Sequence, residues 1–137
     1  MNCNRTPNFN TKDRNCILET IKKIDQIQKE AMIQEECETC ESSLMVKLFN
    51  TKPVTFYLCC GEPFTAEVPG PQPSTTTYFR IQEIRDDCVL LRILSREGNN
   101  WTCTNHTVVL KISCICGLQC FPPICCKECH HGPKTRI

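Results

Sequence analysis

A chain of 137 residues with 16 Lys plus Arg against 15 Asp plus Glu, net charge +1, is long enough for one domain with its own core. It carries no charged half that would draw nucleic acid or an anionic membrane. Its 14 cysteines, about a tenth of the residues, reach the level of a disulfide scaffold or a metal protein.

The opening MNCNRTPNFNTKDRNC has no basic region followed by an apolar run, so no secretory signal is expected and synthesis in a cytoplasm is. No window approaches eighteen consecutive apolar residues, so no membrane span is expected either. The Asn-x-Thr matches at Asn4, Asn100 and Asn105 then carry no glycan. A cytoplasm keeps thiols reduced, so cysteine density and compartment disagree.

Residues 1–12, rich in Asn and Thr, read as a flexible tail carrying Cys3. Over residues 13–36 the apolar Ile17, Ile21, Ile24, Ile27 and Ala31 recur at three- and four-residue steps between charged residues, which predicts an amphipathic helix packed on the domain. The polar CETCESS follows, and then the texture becomes β-like. Short β-branched and aromatic runs at 44–49, 54–59 and 64–68 are broken by Pro53 and by Gly61-Glu62-Pro63, and PGPQPS at 69–74 reads as a loop. TYFRIQEI (77–84) and CVLLRILS (88–95), joined by Arg85-Asp86-Asp87, form a hairpin by length and composition. Glu97-Gly98-Asn99-Asn100 makes another turn before a strand over 107–116. On that strand Cys114 and Cys116 continue the apolar row of Val108, Leu110 and Ile112, which would half-bury them. Residues 122–137, with Pro122-Pro123 and the closing HHGPKTRI, read as an irregular Cys/His-rich tail.

The expected fold is α+β and mainly β: an N-terminal helix, then a small antiparallel β-sandwich or partly closed barrel over residues 37–121.

The stretch CICGLQCFPPICCKECHH, from Cys114 to His131, concentrates the chemistry. One reading is metal. The Cys-x-x-Cys pairs Cys37/Cys40 and Cys126/Cys129 resemble zinc knuckles but lie much further apart than in a zinc ribbon. A local set of Cys125, Cys126, Cys129 and His130 or His131 is the alternative, and it leaves eleven cysteines unexplained. Catalysis finds no frame: Cys37 and Cys40 lack a βαβ context, and His106 stands alone. No enzyme activity, cofactor or small-molecule substrate is expected.

Cross-linking remains. A disulfide needs its Cα atoms within about 7 Å, so the adjacent pairs Cys59-Cys60 and Cys125-Cys126 cannot both face the same interior. At least one of each pair is then offered to something outside. All fourteen positions are candidates: Cys3, Cys16, Cys37, Cys40, Cys59, Cys60, Cys88, Cys103, Cys114, Cys116, Cys120, Cys125, Cys126 and Cys129.

The blocks YFRIQEIRDDCVLLRIL (78–94) and VVLKISCICGLQC (108–120), with TKPVTFYLCCGEPFTAEVPG (51–70), resemble the CotY/CotZ spore coat protein family, which includes the exosporium protein ExsY. The resemblance covers about residues 37–121. Its most specific element is the Cys-x-Cys-x-x-x-Cys ending, here Cys114, Cys116 and Cys120. It implies a structural protein of the outer spore layers that self-assembles, as a homo-oligomer, into a two-dimensional hexagonal lattice hardened by disulfides. It also implies other coat or exosporium proteins as partners, and synthesis in a mother-cell cytoplasm that later lyses, which resolves the compartment conflict. The segment 95–107 is shorter than the family pattern, and the tail ICCKECHHGPKTRI has no counterpart in it. The alternatives are a lattice-docking adaptor that anchors another surface component, or a zinc-binding adaptor.

Overall fold

The computed structural model describes residues 11–37 and 49–126. Helix α1 (Thr11–Cys37) precedes β1 (Val54–Leu58), β2 (Ala66–Val68), β3 (Ser74–Thr76), β4 (Tyr78–Arg85), β5 (Cys88–Glu97), β6 (Asn100–Lys111) and β7 (Ile115–Cys120). The strands form a five-stranded sheet, ordered β6-β5-β4-β1-β7, and a two-stranded ribbon β2-β3. Every pairing is antiparallel. Mainly β structure with one helix ahead of it is the class the sequence predicts.

The β4–β5 hairpin closes where it was expected. Arg85 pairs with Cys88 across a two-residue turn whose first residue, Asp86, takes φ 46°, a left-handed conformation that Asp tolerates better than most residues. Glu97 pairs with Asn100 in the same way, with Gly98 at φ 62°. The strand expected at 44–49 lies outside the described residues except for Phe49. The short β3 was not anticipated, because its Ser-Thr-Thr has no apolar alternation to announce it.

The largest departure concerns 107–116. This run is not one strand: a single 3-10 turn, Ile112–Cys114, divides it, so that β6 and β7 fall on opposite edges of the sheet. From Lys111 to Ile115 a fully extended chain reaches about 14 Å, whereas opposite edges of a flat five-stranded sheet lie about 19 Å apart. The sheet must therefore curl. The crossing chain passes the β4–β5 turn, where the Ile112 amide donates to the Asp87 carbonyl at 2.7 Å.

One face of the curled sheet builds the core. Register sets Phe79 opposite Ile93 and Ile81 opposite Leu91, and these join the buried Val54, Phe56 and Val89. The Phe64 ring approaches Phe79 at 5.4 Å between centroids. Helix α1 seats Ile21 and Ile24 in the same cluster. Burying an aliphatic side chain contributes about 1.5–3 kcal/mol, so this stripe ties the helix to the sheet. Gln28 reinforces it: its amide nitrogen donates to the Ile81 carbonyl at 2.8 Å, and its oxygen accepts from the Lys52 amide at 2.9 Å.

Two arginines lie on alternate positions of the central strands. Arg80 and Arg92 pair across β4 and β5, 6% and 4% exposed. Arg80 donates from Nε to the Thr51 hydroxyl at 2.8 Å, from Nη2 to the Asn50 carbonyl at 3.2 Å, and from Nη1 to the Gln82 side-chain oxygen. Arg92 donates from Nε to the Thr104 carbonyl at 2.7 Å. Charge-assisted bonds of this kind offset part of the desolvation cost of a buried cation.

Candidate functional site: bridges and free thiols

After β1 the chain turns tightly. The Gly61 amide donates to the Leu58 carbonyl at 2.8 Å, which makes Cys59 and Cys60 the central residues of a β-turn. Gly61 sits at φ 93°, a conformation that β-carbon sterics reserve largely for glycine. Beside this turn, β7 pairs with β1 from Val54↔Cys120 to Leu58↔Ile115, with a bulge between Tyr57 and Leu58. The ladder brings Cys59 to Cys116, and the two form a disulfide with a Cα–Cα distance of 4.8 Å. Cys116 is exposed and Cys59 partly so.

The second described bridge sits in different surroundings. Residues 122–126, read from the sequence as the start of a tail, run back against residues 50–53. Thr51 and Ile124 exchange backbone hydrogen bonds at 3.0 and 2.8 Å. The Asn50 side chain continues that pairing: its amide nitrogen donates to the Cys126 carbonyl at 2.7 Å, and its oxygen accepts from the Cys126 amide at 2.8 Å. Cys126, 3% exposed, is thereby held against β6 and bridged to Cys103 at a Cα–Cα distance of 5.7 Å. Tyr78 packs edge-on to Trp101 and to Phe121 beside this joint, at 5.0 and 5.2 Å. The Arg96 guanidinium stacks 4.9 Å from the Trp101 centroid.

Five described cysteines are free thiols: Cys16, Cys114, Cys120 and Cys125 are exposed, and Cys88 is half-buried. The 3-10 turn resets the alternation that would have half-buried Cys114 and Cys116: Ile115 takes the buried position, and both cysteines face outward. The adjacent pairs behave differently from one another. Cys126 is bridged while Cys125 is left exposed, but Cys59 and Cys60 are both disulfide-bonded, so that pair offers no free thiol. Cys88 is the muted member of the set. Burial, followed by a hydrogen bond to the Asp87 carboxylate at 3.5 Å and its charge, pushes its thiol above the ordinary range.

The side chains of Cys3, Cys37, Cys40, Cys129, His130 and His131 lie outside the described residues. Of the alternative zinc set, Cys125 and Cys126 are described: Cys125 is a free exposed thiol, and the Cys126 sulfur is committed to Cys103. Among the described residues no group of His, Cys, Asp or Glu is arranged to hold a metal ion, and no described helix is long and apolar enough to cross a membrane. Sequence reasoning missed Gln28, Asn50, Arg80 and Arg92. For the two arginines there was a signal, an Arg at an alternate position of each otherwise apolar strand.

No curated protein and no solved structure matches the chain. A family model does: the spore coat protein Z family, CotZ, matches residues 1–107. That span takes in the helix, the 51–70 and 78–94 blocks and the first bridging cysteines, and leaves out 108–120, the block whose cysteine spacing carried the resemblance most specifically. It also begins upstream of the residues where the resemblance was placed. The match covers well over half of the 137 residues, and the chain therefore belongs to the CotZ family of spore coat proteins.

Proposed function

We propose that this spore coat protein assembles with copies of itself into a two-dimensional, hexagonal lattice in the outer coat or exosporium, and that intermolecular disulfides harden it. The observation that supports this reading is the division of the described cysteines. One group is committed to bridges that brace the domain, and a second stands exposed and unbridged in separate places: Cys16 on α1, Cys114 beside β7, Cys120 at its end, and Cys125 beyond it.

A thiol at a single place joins copies only in pairs. Exposed thiols at several places around one small domain allow each copy to link to more than a pair of neighbours, which a sheet requires. Heterologous contacts around a closed symmetry element would set the spacing, and each disulfide would convert a reversible contact into a covalent one. Other coat components presenting thiols are the natural further partners. The role is structural, without substrate turnover.

Negative-stain electron microscopy of the purified protein, with and without a thiol reductant, tests this. The expected result is ordered sheets or rings that come apart only when reductant is added. Small particles under both conditions would overturn the lattice, and would favour the docking reading, in which the exposed thiols need a different partner.

A further inference from the structure

The two described bridges are unequal in access. Cys126 is 3% exposed and clamped by Asn50, and its partner Cys103 is half-buried, so neither sulfur stands open to an incoming group as that of an exposed cysteine does. The Cys59–Cys116 bridge instead joins a surface turn to an outer strand of the sheet, and Cys116 is exposed. Thiol–disulfide exchange requires a thiolate to reach a disulfide sulfur, and exposed bridges are the labile ones.

We infer that the Cys59–Cys116 disulfide is an exchange site, which an exposed cysteine thiolate of a second copy opens at Cys116. The inference rests on the cross-linking role proposed above and supplies its chemistry. The incoming sulfur forms a new bond to Cys116 Sγ as the Cys59–Cys116 bond breaks. The electron pair leaves on Cys59 Sγ, which then takes up a proton. One disulfide is consumed and one is made, one thiol is consumed and one is liberated, so the step needs no oxidant.

Two features suit the site to this step. Once protonated, the liberated thiol has a partner: Cys59 Sγ lies 3.6 Å from the Cys114 carbonyl, which can accept its S–H. And the fold does not rely on this bond to hold the strand in place. The β1–β7 ladder spans five residue pairs, and Ile115 and Leu118 pack on the core, so β7 stays docked with the bridge open. The liberated Cys59 thiol can in turn attack a further bridge. Linkage can thus pass from copy to copy while the number of disulfides stays constant.

The test begins with the folded wild-type protein, its bridges verified by peptide mapping, held without oxygen in reduced glutathione and quenched with an alkylating agent. Cleavage at Leu118 separates Cys116 from Cys126, and fragmentation reads Cys59 and Cys60 individually. Glutathione on Cys116 with alkylated Cys59 is expected about tenfold or more faster than any opening of Cys103–Cys126; equal rates, or the reverse order, would overturn the assignment.

In a second arm, wild type and the Cys59→Ser/Cys116→Ser double variant are concentrated without oxygen and run on non-reducing gels, with circular dichroism to confirm folding. Reductant-sensitive multimers of the wild type alone support exchange. Multimers of both proteins, or multimers that form only after a disulfide-forming oxidant is added, sink the exchange step and leave cross-linking intact. Absence of multimers even with oxidant sinks the cross-linking role as well. Should the double variant not fold, the glutathione arm decides by itself.

Discussion

Gln28 is 3% exposed, and both ends of its amide are engaged, one by the Ile81 carbonyl and the other by the Lys52 amide. Replacing it with Ala takes the partner from a buried acceptor and a partly buried donor, so a loss of about 1–3 kcal/mol is expected in denaturant unfolding. Cys88 makes a residue-scale prediction of a different kind. Only the thiolate reacts with an alkylating agent, and burial with the Asp87 hydrogen bond raises the thiol's pKa, so its alkylation curve should sit at higher pH than that of a free cysteine. Asp87→Asn removes the carboxylate and should move the curve back down. A Cys88 that alkylates like a free cysteine, measured site by site by mass spectrometry, would contradict this. Neither residue's role was legible in the sequence. Gln28 reads as one more polar residue between stripes, and Cys88 as one cysteine among many, because each role is set by groups distant in the chain or by local burial.

At the scale of elements, helix α1 shows how a periodic stripe can be right in kind and off in phase. Ile17, Ile21 and Ile24 do face the domain, but Ile27 is 57% exposed and the next buried position is Gln28. Steps of three and four residues drift around a helix with 3.6 residues per turn, and the sheet beneath selects which drift is used. Ile21→Ala should therefore cost about 2–5 kcal/mol in stability, while Ile27→Ala should change it by less than about 0.5 kcal/mol. Equal losses at the two sites would mean that the helix presents another face. The bridge at Cys103 and Cys126 belongs to this scale as well, since it fastens the returning segment to β6 across a separation of 23 residues. Replacing both cysteines with Ser should lower stability by roughly 3 kcal/mol, on the loop-entropy account, measured by thermal unfolding under non-reducing conditions.

For the whole molecule, the separation of committed from exposed cysteines is what bears on assembly. Changing Cys114, Cys120 and Cys125 together to Ser leaves both described bridges and the core untouched, so the domain should fold normally. Assemblies of this variant should lose their resistance to boiling detergent while keeping any lattice built by non-covalent contacts, as gels and micrographs of the same sample would show. Unchanged resistance would move the cross-links to Cys16 or to cysteines outside the described residues.

The local signals in the sequence were sufficient for the strand class, the β4–β5 hairpin, the turn at Gly98 and the helix, because alternation, turn residues and helical spacing are properties of neighbours in the chain. The blocks at 51–70 and 78–94 likewise carried the family, since they lie within the span that the CotZ model matches. What the tertiary structure decided was the fate of each described thiol. Fourteen cysteines look alike in a sequence, and the strand over 107–116 gave no hint of the 3-10 turn at Ile112–Cys114. That turn carries the chain to the opposite edge of a curled sheet, brings Cys116 beside Cys59 and leaves Cys114 exposed. Pairing depends on which Cα atoms come within bridging distance, and only long-range strand register determines that.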